Sequence, residues 1–334
     1  MPGPLRIPFP NAFPSPASPT PPHLTTLPSA ISAITDFLLA SPPGKTTILT
    51  GAGISTASGL TDYRGPQGTY STRTNFRPVL ITEFLNEPAK RNRYWSRAFL
   101  GYDSFSSKQP SPAHRVVAEL VKVGLVGGVV TQNVDSLHER AMVREGEEMR
   151  LHWREKLVEL HGALREVRCV KCEELYEGGR AKLQEWLASQ NPVWEELRVK
   201  GDLIQGPDGD VAVPEGVRLP GFVEPGRCGG CGGLVKPDIV FFGENLRREV
   251  KERAEGLVGG CERLLVLGTS LATLSAWRLV KRVVERRGEV AMVTLGGARD
   301  EQVFFGEGRG VRVEFDIQDV MVGVEGELRN KGIL

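Results

Sequence analysis

Four of the chain's five cysteines fall in two Cys-x-x-Cys pairs, Cys169 with Cys172 and Cys228 with Cys231. Four thiolates at that spacing match a tetrahedral Zn²⁺ and fill every coordination position, so the ion they would hold is structural. The 55 residues between the pairs, 173–227, exceed ordinary ribbon spacing and imply an inserted loop that includes Pro207, Asp208, Gly209 and Asp210. A redox Cys-x-x-Cys does not account for two pairs in one segment. Cys261 stands alone ahead of an apolar run and reads as a small buried hydrophobe. Paired thiolates of this kind belong to a reducing compartment rather than to a secreted disulfide scaffold.

A second kind of chemistry is legible at Gly51-Ala52-Gly53-Ile54-Ser55, directly after the apolar run 46–50. Side-chain-free positions at a strand's end let backbone N–H groups approach a pyrophosphate where a helix begins. A plain strand-to-helix corner has the same composition. A Walker loop ending in Gly44-Lys45-Thr46 would need glycine where Leu39 stands, and a dehydrogenase fingerprint would need glycine where Thr56 stands. The fingerprint also needs an acid about 20 residues on, and none lies between Asp62 and Glu83. The cradle is therefore of a different type.

Thr131-Gln132-Asn133-Val134-Asp135 follows another apolar run, where polar side chains at a strand's C-terminal end face the ligand crevice. Amide side chains donate and accept, which suits a ribose and a carboxamide, and Asp135 can accept from an amide N–H. The same segment reads equally as a turn whose Asp caps a helix over 136–141. His161, next to Gly162 after the alternating segment 157–160, titrates near neutrality and is the general base if it faces the crevice. On residue type alone, a structural histidine fits as well. His114 and His138 read as helix-face residues, His152 lies in a charged run, and His23 sits in the N-terminal tail.

These residues need a scaffold. Apolar strands are predicted at 46–50, 128–131, 263–268, 290–295 and 311–315, separated by helical periodicities at 113–123, 273–286 and 318–329. Ser111 and Pro112 supply an N-cap and a first-turn proline. The alternation is that of an α/β fold, a Rossmann-like doubly wound parallel sheet with helices on both faces. The Gly-rich interval 166–235 breaks the alternation and reads as an inserted small zinc-binding domain, leaving 28–165 and 236–334 to the larger one. Twelve of the 23 prolines lie within residues 1–43, with only Arg6 and Asp36 charged there, so residues 1–27 are expected to be disordered, as a plain tail or an organelle-targeting segment. The first helix should start at Ser29 as N-cap, with Ile31, Ile34, Phe37 and Leu38 on one face.

The 334 residues suffice for one large or two modest domains, and 42 basic against 41 acidic side chains leave a net charge of +1. Such a balance excludes bulk attraction to nucleic acid, and Glu173, Glu174 and Glu177 beside a cysteine pair argue against a nucleic-acid-binding zinc ribbon. No apolar stretch has the length of a membrane span.

The order of motifs, from the 51–55 glycine turn through Asp62-Tyr63-Arg64, 131–135, His161-Gly162, the two cysteine pairs, 236–244 and Gly268-Thr269-Ser270, resembles the sirtuins, the NAD-dependent protein deacylases. The resemblance covers about residues 28–330. Asp62-Tyr63-Arg64, Arg-Asn-Arg-Tyr-Trp at 91–95 and the insert with Asn191-Pro192-Val193-Trp194 look like the class II, mitochondrial sirtuin-4 branch, which implies the mitochondrial matrix, with cytoplasm or nucleus as alternatives. The resemblance implies NAD binding by Gly51, Ala52, Gly53, Ser55, Tyr63, Arg64, Gln132, Asn133, Asp135, Gly268, Thr269, Ser270, Thr294, Leu295 and Gly296. It makes His161 the base, with Asn133 beside it, and one structural Zn²⁺ the load of the cysteines. It implies that acylated lysines of protein substrates lie along Val240, Phe241, Phe242, Gly243 and Glu244 as an added strand. The products implied are nicotinamide and O-acyl-ADP-ribose; mono-ADP-ribosyl transfer to protein is the alternative use of the same cofactor.

Two departures stand out. Thr294-Leu295-Gly296-Gly297 lacks the family's usual Asn near the adenine ribose, and Leu60-Thr61 replaces Ile-Pro. The resemblance also places Tyr70 and Arg73, with Arg77 close by, near the acyl channel. An arginine fork and a tyrosine hydroxyl would favour an acyl chain ending in a carboxylate; solvated loop positions or a cofactor-phosphate contact are the other readings.

Overall fold

Thr46–Thr50 is β-branched or apolar throughout and buried at every position, which is what a central strand of a sheet covered on both faces requires. It is β1 of a computed structural model that describes residues 19–72, 77–143, 153–200, 209, 211, 221–305 and 309–334. The remaining strands are β2 (Val126–Thr131), β3 (Leu157–Glu159), β4 (Gly162–Cys169), β5 (Val235–Ile239), β6 (Arg263–Leu267), β7 (Glu289–Val293) and β8 (Val311–Val313). Six of them form one parallel sheet in the order β3-β2-β1-β6-β7-β8, and β4 pairs antiparallel with β5. The chain thus winds outward from β1 in one direction and returns to its other side through β6. Where that order reverses, the C-terminal ends of β1 and β6 diverge into a crevice.

The principal helices are α1 (Leu27–Leu39), α2 (Ile81–Asn86), α3 (Pro88–Ser106), α4 (Pro112–Lys122), α5 (Leu137–Val143), α6 (Gly179–Gln190), α7 (Pro192–Lys200), α8 (Arg248–Gly260), α9 (Leu274–Glu285) and α10 (Ile317–Asn330). Side chains alternate across the sheet with period two. Ile48, Val129, Leu265 and Val293 meet α1, α4 and α10 on one face, while Leu49, Val130, Leu264 and Met292 meet α8 and α9 on the other. Ser111 caps α4 and Pro112 opens it, as the sequence predicts. Among the described residues no helix is long and apolar enough to cross a membrane.

Two expectations need correction. Helix α1 begins at Leu27, capped by Thr26, whose Oγ1 accepts from the Ser29 N–H at 3.3 Å, so Ser29 serves as the N3 partner of a capping box. The chain is also ordered ahead of residue 28. Thr20 exchanges backbone hydrogen bonds with Arg312, the middle residue of β8, at 2.9 and 2.7 Å, and Leu24 is buried in the core. A short edge pairing and one anchored leucine outweigh the proline-rich composition there; residues 1–18 lie outside the described residues.

The smaller unit is the β4–β5 ribbon with α6 and α7. Helices α2 and α3, which the sequence division left with the larger domain, pack into it: Phe84, Trp95 and Phe99 share a cluster with Leu183, Trp194, Phe222 and Phe241. The Phe84 and Phe241 rings stand 4.9 Å apart.

Glycine identity matters at the crevice for a reason the sequence did not disclose. The Gly51 and Gly53 N–H groups donate to Leu267 and Gly268 carbonyls at 3.0 and 2.9 Å, so the two loops touch backbone to backbone. A Cβ on Gly51 would stand 2.5 Å from Thr269 Cβ. Gly268 has φ +61°, and a Cβ there would meet Ile317 Cδ1 at 2.6 Å and the Ile54 nitrogen at 2.7 Å. Gly268→Ala should therefore cost about 2–4 kcal/mol, from the left-handed backbone plus overpacking. Gly256→Ala, on an exposed turn of α8 where a Cβ meets nothing within 4 Å, should stabilise by about 0.5–1 kcal/mol. Urea unfolding of both variants checks the opposite signs.

Candidate active site

The crevice is a cavity of about 1300 Å³, and with one exception every ligand-facing residue singled out in the sequence lines it. The glycine turn 51–53 and Ser55 come from the end of β1, Gln132, Asn133 and Asp135 from the end of β2, and His161 from the turn between β3 and β4. Gly268, Thr269 and Ser270 follow β6, Thr294, Leu295 and Gly296 follow β7, and residues 240–244 follow β5. The exception, Arg73, lies outside the described residues, as do His152, Pro207, Asp208 and Asp210.

His161 is held at both ring nitrogens. Nδ1 stands 3.0 Å from the Gln132 carbonyl and Nε2 stands 2.9 Å from Ser275 Oγ. A carbonyl only accepts, so Nδ1 carries the proton and Nε2 presents its lone pair into the cavity, accepting from the Ser275 hydroxyl. Burial pushes the imidazole pKa down to about 4, although the Gln132 hydrogen bond opposes the shift. At neutral pH the ring is a neutral acceptor of one defined tautomer. Ser275, at the start of α9, carries no motif and was missed in the sequence.

Behind His161 the amide segment is cross-linked. Gln132 Nε2 donates to Thr269 Oγ1 at 2.8 Å, and Thr273 Oγ1 donates to Gln132 Oε1 at 3.1 Å. Asn133 Nδ2 donates to the Gly51 carbonyl at 3.0 Å and to Ser55 Oγ at 3.1 Å. Asp135 accepts from Ser55 Oγ at 2.7 Å and from the Leu137 N–H at 2.9 Å. The helix-capping alternative thus holds for Asp135, whose carboxylate spends both oxygens inside the protein. Burial raises its pKa while the Leu137 N–H and Ser55 hydroxyl oppose the rise.

The 62–72 loop folds on itself: the Tyr70 N–H donates to the Tyr63 carbonyl at 2.9 Å, and the Arg64 guanidinium lies over the Tyr70 ring at 5.0 Å. Arg77 pairs with Glu83 at 2.7 Å. Tyr70 therefore packs with Arg64. Arg93, Tyr94 and Arg97 of α3 also line the cavity and were not foreseen. In the segment expected to receive substrate backbone, the Val240 N–H is taken by the His161 carbonyl at 2.9 Å and the Phe241 N–H by Glu244 Oε2 at 2.9 Å. Phe242 bridges to Leu80, with its carbonyl accepting from the Ile81 N–H at 3.0 Å. Fewer of its amides are open to an added strand than the sequence implied. Lys236 Nζ, 3.2 Å from Glu244 Oε2, fixes the same turn.

The cavity fits a dinucleotide by its place at the sheet reversal, by its size and by the amides and hydroxyls that converge on it. The four cysteines fit zinc independently. Their Sγ atoms lie within 4.8 Å of one another, with Cys169–Cys231 at 3.4 Å and Cys172–Cys228 at 3.8 Å. A tetrahedron with Zn–S bonds of about 2.3 Å has sulfur separations near 3.8 Å. Glycine is required at Gly233, where a Cβ would stand 2.8 Å from Cys169 Sγ. Cys261 is buried apart from them, as expected.

The family model described as "Sir2 family" matches residues 51–275. The NAD-dependent protein deacylase SIR4 of Batrachochytrium dendrobatidis is 38% identical over 286 residues, 83% of this chain and 89% of that protein. The NAD-dependent protein deacylase Sirt4 of Drosophila melanogaster is 38% identical, covering 85% of this chain and 84% of its own. Among solved structures, a Sir2 with deacetylated p53 peptide and 3'-O-acetyl ADP ribose aligns with TM-score 0.60 and 28% identity, over 89% of this chain and 98% of that one. A Sir2 with p53 peptide and NAD+ aligns with TM-score 0.59 and 28% identity, over 90% and 98%.

Two outcomes follow from the geometry. Elemental analysis of the purified chain should find one zinc, and Cys231→Ala should lose it together with solubility or part of the fold, because structural zinc contributes folding free energy. A zinc-free chain with unchanged melting would contradict this. The second concerns pH. Burial also lowers His138 to about 3 and His114 well below the usual imidazole value. Unfolding lets all three histidines take up protons below about pH 6.5, so stability should be insensitive to them above pH 7 and fall steadily as pH drops from about 6.5 toward 4. Urea midpoints across that range measure it.

Proposed function

The chain belongs to the Sir2 family, and we propose that it works as an NAD-dependent protein-lysine deacylase whose general base is His161. The observation that carries the reading is the tautomer: the Gln132 carbonyl holds the proton on Nδ1, leaving the Nε2 lone pair inside the cavity that the glycine turn closes from below. Bound NAD supplies a ribose carbon activated by departure of nicotinamide. The chain's contribution is positional and protic. Gly51, Ala52, Gly53 and Ser55, with Gly268, Thr269 and Ser270, would hold the pyrophosphate half. Gln132 and Asn133 would hold the nicotinamide ribose and carboxamide, Tyr63 and Arg64 would cover them, and Thr294, Leu295 and Gly296 would face the adenosine. Asp135 acts through Ser55, to which it is bonded. Residues 240–244 would receive the acyl-lysine segment. His161 Nε2 exchanges its Ser275 contact for a ribose hydroxyl and takes that proton, and burial keeps it neutral until then.

The cysteine unit stands away from this chemistry and holds zinc for structure. We further propose the mitochondrial matrix as its location, a reading that its similarity to the SIR4 and Sirt4 deacylases supports.

His161→Ala should lower acyl removal roughly 10²- to 10⁴-fold while NAD affinity stays within about three-fold and melting falls less than for a core deletion. The assay is an acyl-lysine peptide panel, acetyl and glutaryl included, with nicotinamide and O-acyl-ADP-ribose read by mass. Label from NAD appearing on protein instead of O-acyl-ADP-ribose would turn the reading to ADP-ribosyl transfer.

A further inference from the structure

His114 and His138, read in the sequence as helix-face residues, are both fully buried behind the active site, their ring centroids 4.6 Å apart. Neither touches the cavity. Each ring is held at one nitrogen by a hydroxyl. Ser111 holds His114 Nδ1, with its N–H at 3.2 Å and its Oγ at 2.7 Å. His138 Nε2 lies 2.9 Å from Thr50 Oγ1, and the Thr50 hydroxyl already donates to Thr131 Oγ1 at 2.8 Å. Nε2 of His138 must therefore be the donor, which leaves its Nδ1 an acceptor. The other nitrogen of each ring, His114 Nε2 and His138 Nδ1, has no hydrogen-bond partner among the described residues.

Each end of this pair reaches one half of the active site. At one end, Ser111 Oγ is 3.0 Å from the Ile54 carbonyl, inside the glycine turn. At the other, Thr131 Oγ1 accepts from the Asn133 N–H at 3.1 Å, and Asn133 in turn spans the Gly51 carbonyl and Ser55. We propose that His138, with Thr50 and His114, is a positioning element that sets the orientation of Asn133 against the glycine turn, so that the nicotinamide end of the site is held from behind by a histidine of fixed tautomer and the imidazole packed on it. The inference rests on the deacylase reading.

The test has a spectroscopic and a kinetic arm on the full chain. In ¹⁵N-histidine spectra at pH 7, His138 should be neutral with the proton on Nε2; a proton on its Nδ1 overturns the proposal. Thr50→Val and His138→Leu should each lower kcat roughly 10- to 100-fold with peptide KM within about three-fold, as expected for misplacing a group by about an ångström. His138→Gln, whose amide can still donate to Thr50, should keep kcat within about three-fold of wild type, and the double variant should be no worse than the poorer single one. Should His138→Leu fail to fold, Thr50→Val decides. Unchanged kcat in the folded variants, even with lower melting, overturns the positioning role. So does a His138→Gln as impaired as His138→Leu. A wild-type chain inactive on every acyl peptide would sink the deacylase reading and leave the tautomer assignment standing, so the two failures are distinguishable.

Discussion

The contact on which the site depends is the backbone-to-backbone approach of the loop after β1 to the loop after β6. Parallel neighbours in a sheet diverge at their C-terminal ends only if the connections leave in opposite directions, and here they do so while still sharing hydrogen bonds from Gly51 to Leu267 and from Gly53 to Gly268. Three glycines make that approach possible. Once it is made, the Asn133 amide can reach the Gly51 carbonyl, Gln132 can reach Thr269, and the Gln132 carbonyl is left to fix His161. A side chain at Gly51 or Gly268 would push the loops apart and withdraw each of these partners in turn.

This arrangement explains what the sequence discloses and what it hides. Strand β1 is legible residue for residue because a buried parallel strand is an uninterrupted run of β-branched and apolar residues, and α4 is legible because Ser111-Pro112 is a local signal. The site segments are legible too, since polar or glycine residues directly after such a run have few other uses. What stays hidden is non-local. Ser275 meets His161 across 114 residues, and His114 meets His138 through helix packing that no spacing rule reports. The glycine turn was read for the right place and an incomplete reason, since Gly51 and Gly53 also serve a second loop more than 200 residues away. The Tyr70 ring lies under Arg64, a contact that no sequence spacing reports, while Arg73 lies outside the described residues. Composition misled at residues 19–26, where two backbone bonds to Arg312 suffice to order a proline-rich stretch.

The buried side of the site relies on neutral groups. Its histidines are kept neutral by burial, and Asp135 is surrounded by donors. Two ion pairs nearby act as clamps: Arg165 grips Glu159 through two 2.7 Å bonds and reaches Ser136, tying the strand before His161 to the segment after Asp135. Lys236 and Glu244 do the same for the turn at 239–244. Breaking one partner of such a half-buried pair leaves the other charge poorly solvated, so these clamps define geometry more than they add stability.

The β4–β5 ribbon carries this geometry to the metal centre. Gly162, the first residue of β4, follows His161, and Cys169, the last, is a cysteine of the zinc cluster; across from them Ile239 pairs with Gly162 and Val235 with Cys169. One eight-residue strand therefore has His161 just ahead of one end and a cysteine of the cluster at the other. A two-stranded ribbon is marginal in water and needs packing on a face or a constraint at its end. The aromatic cluster around Phe84, Trp95 and Phe241 supplies the first, and four thiolates about one ion supply the second. Zinc can thus be remote from every reacting atom and still determine where His161 points, because releasing the far end of the ribbon frees the strand whose near end sets the His161 carbonyl against Val240.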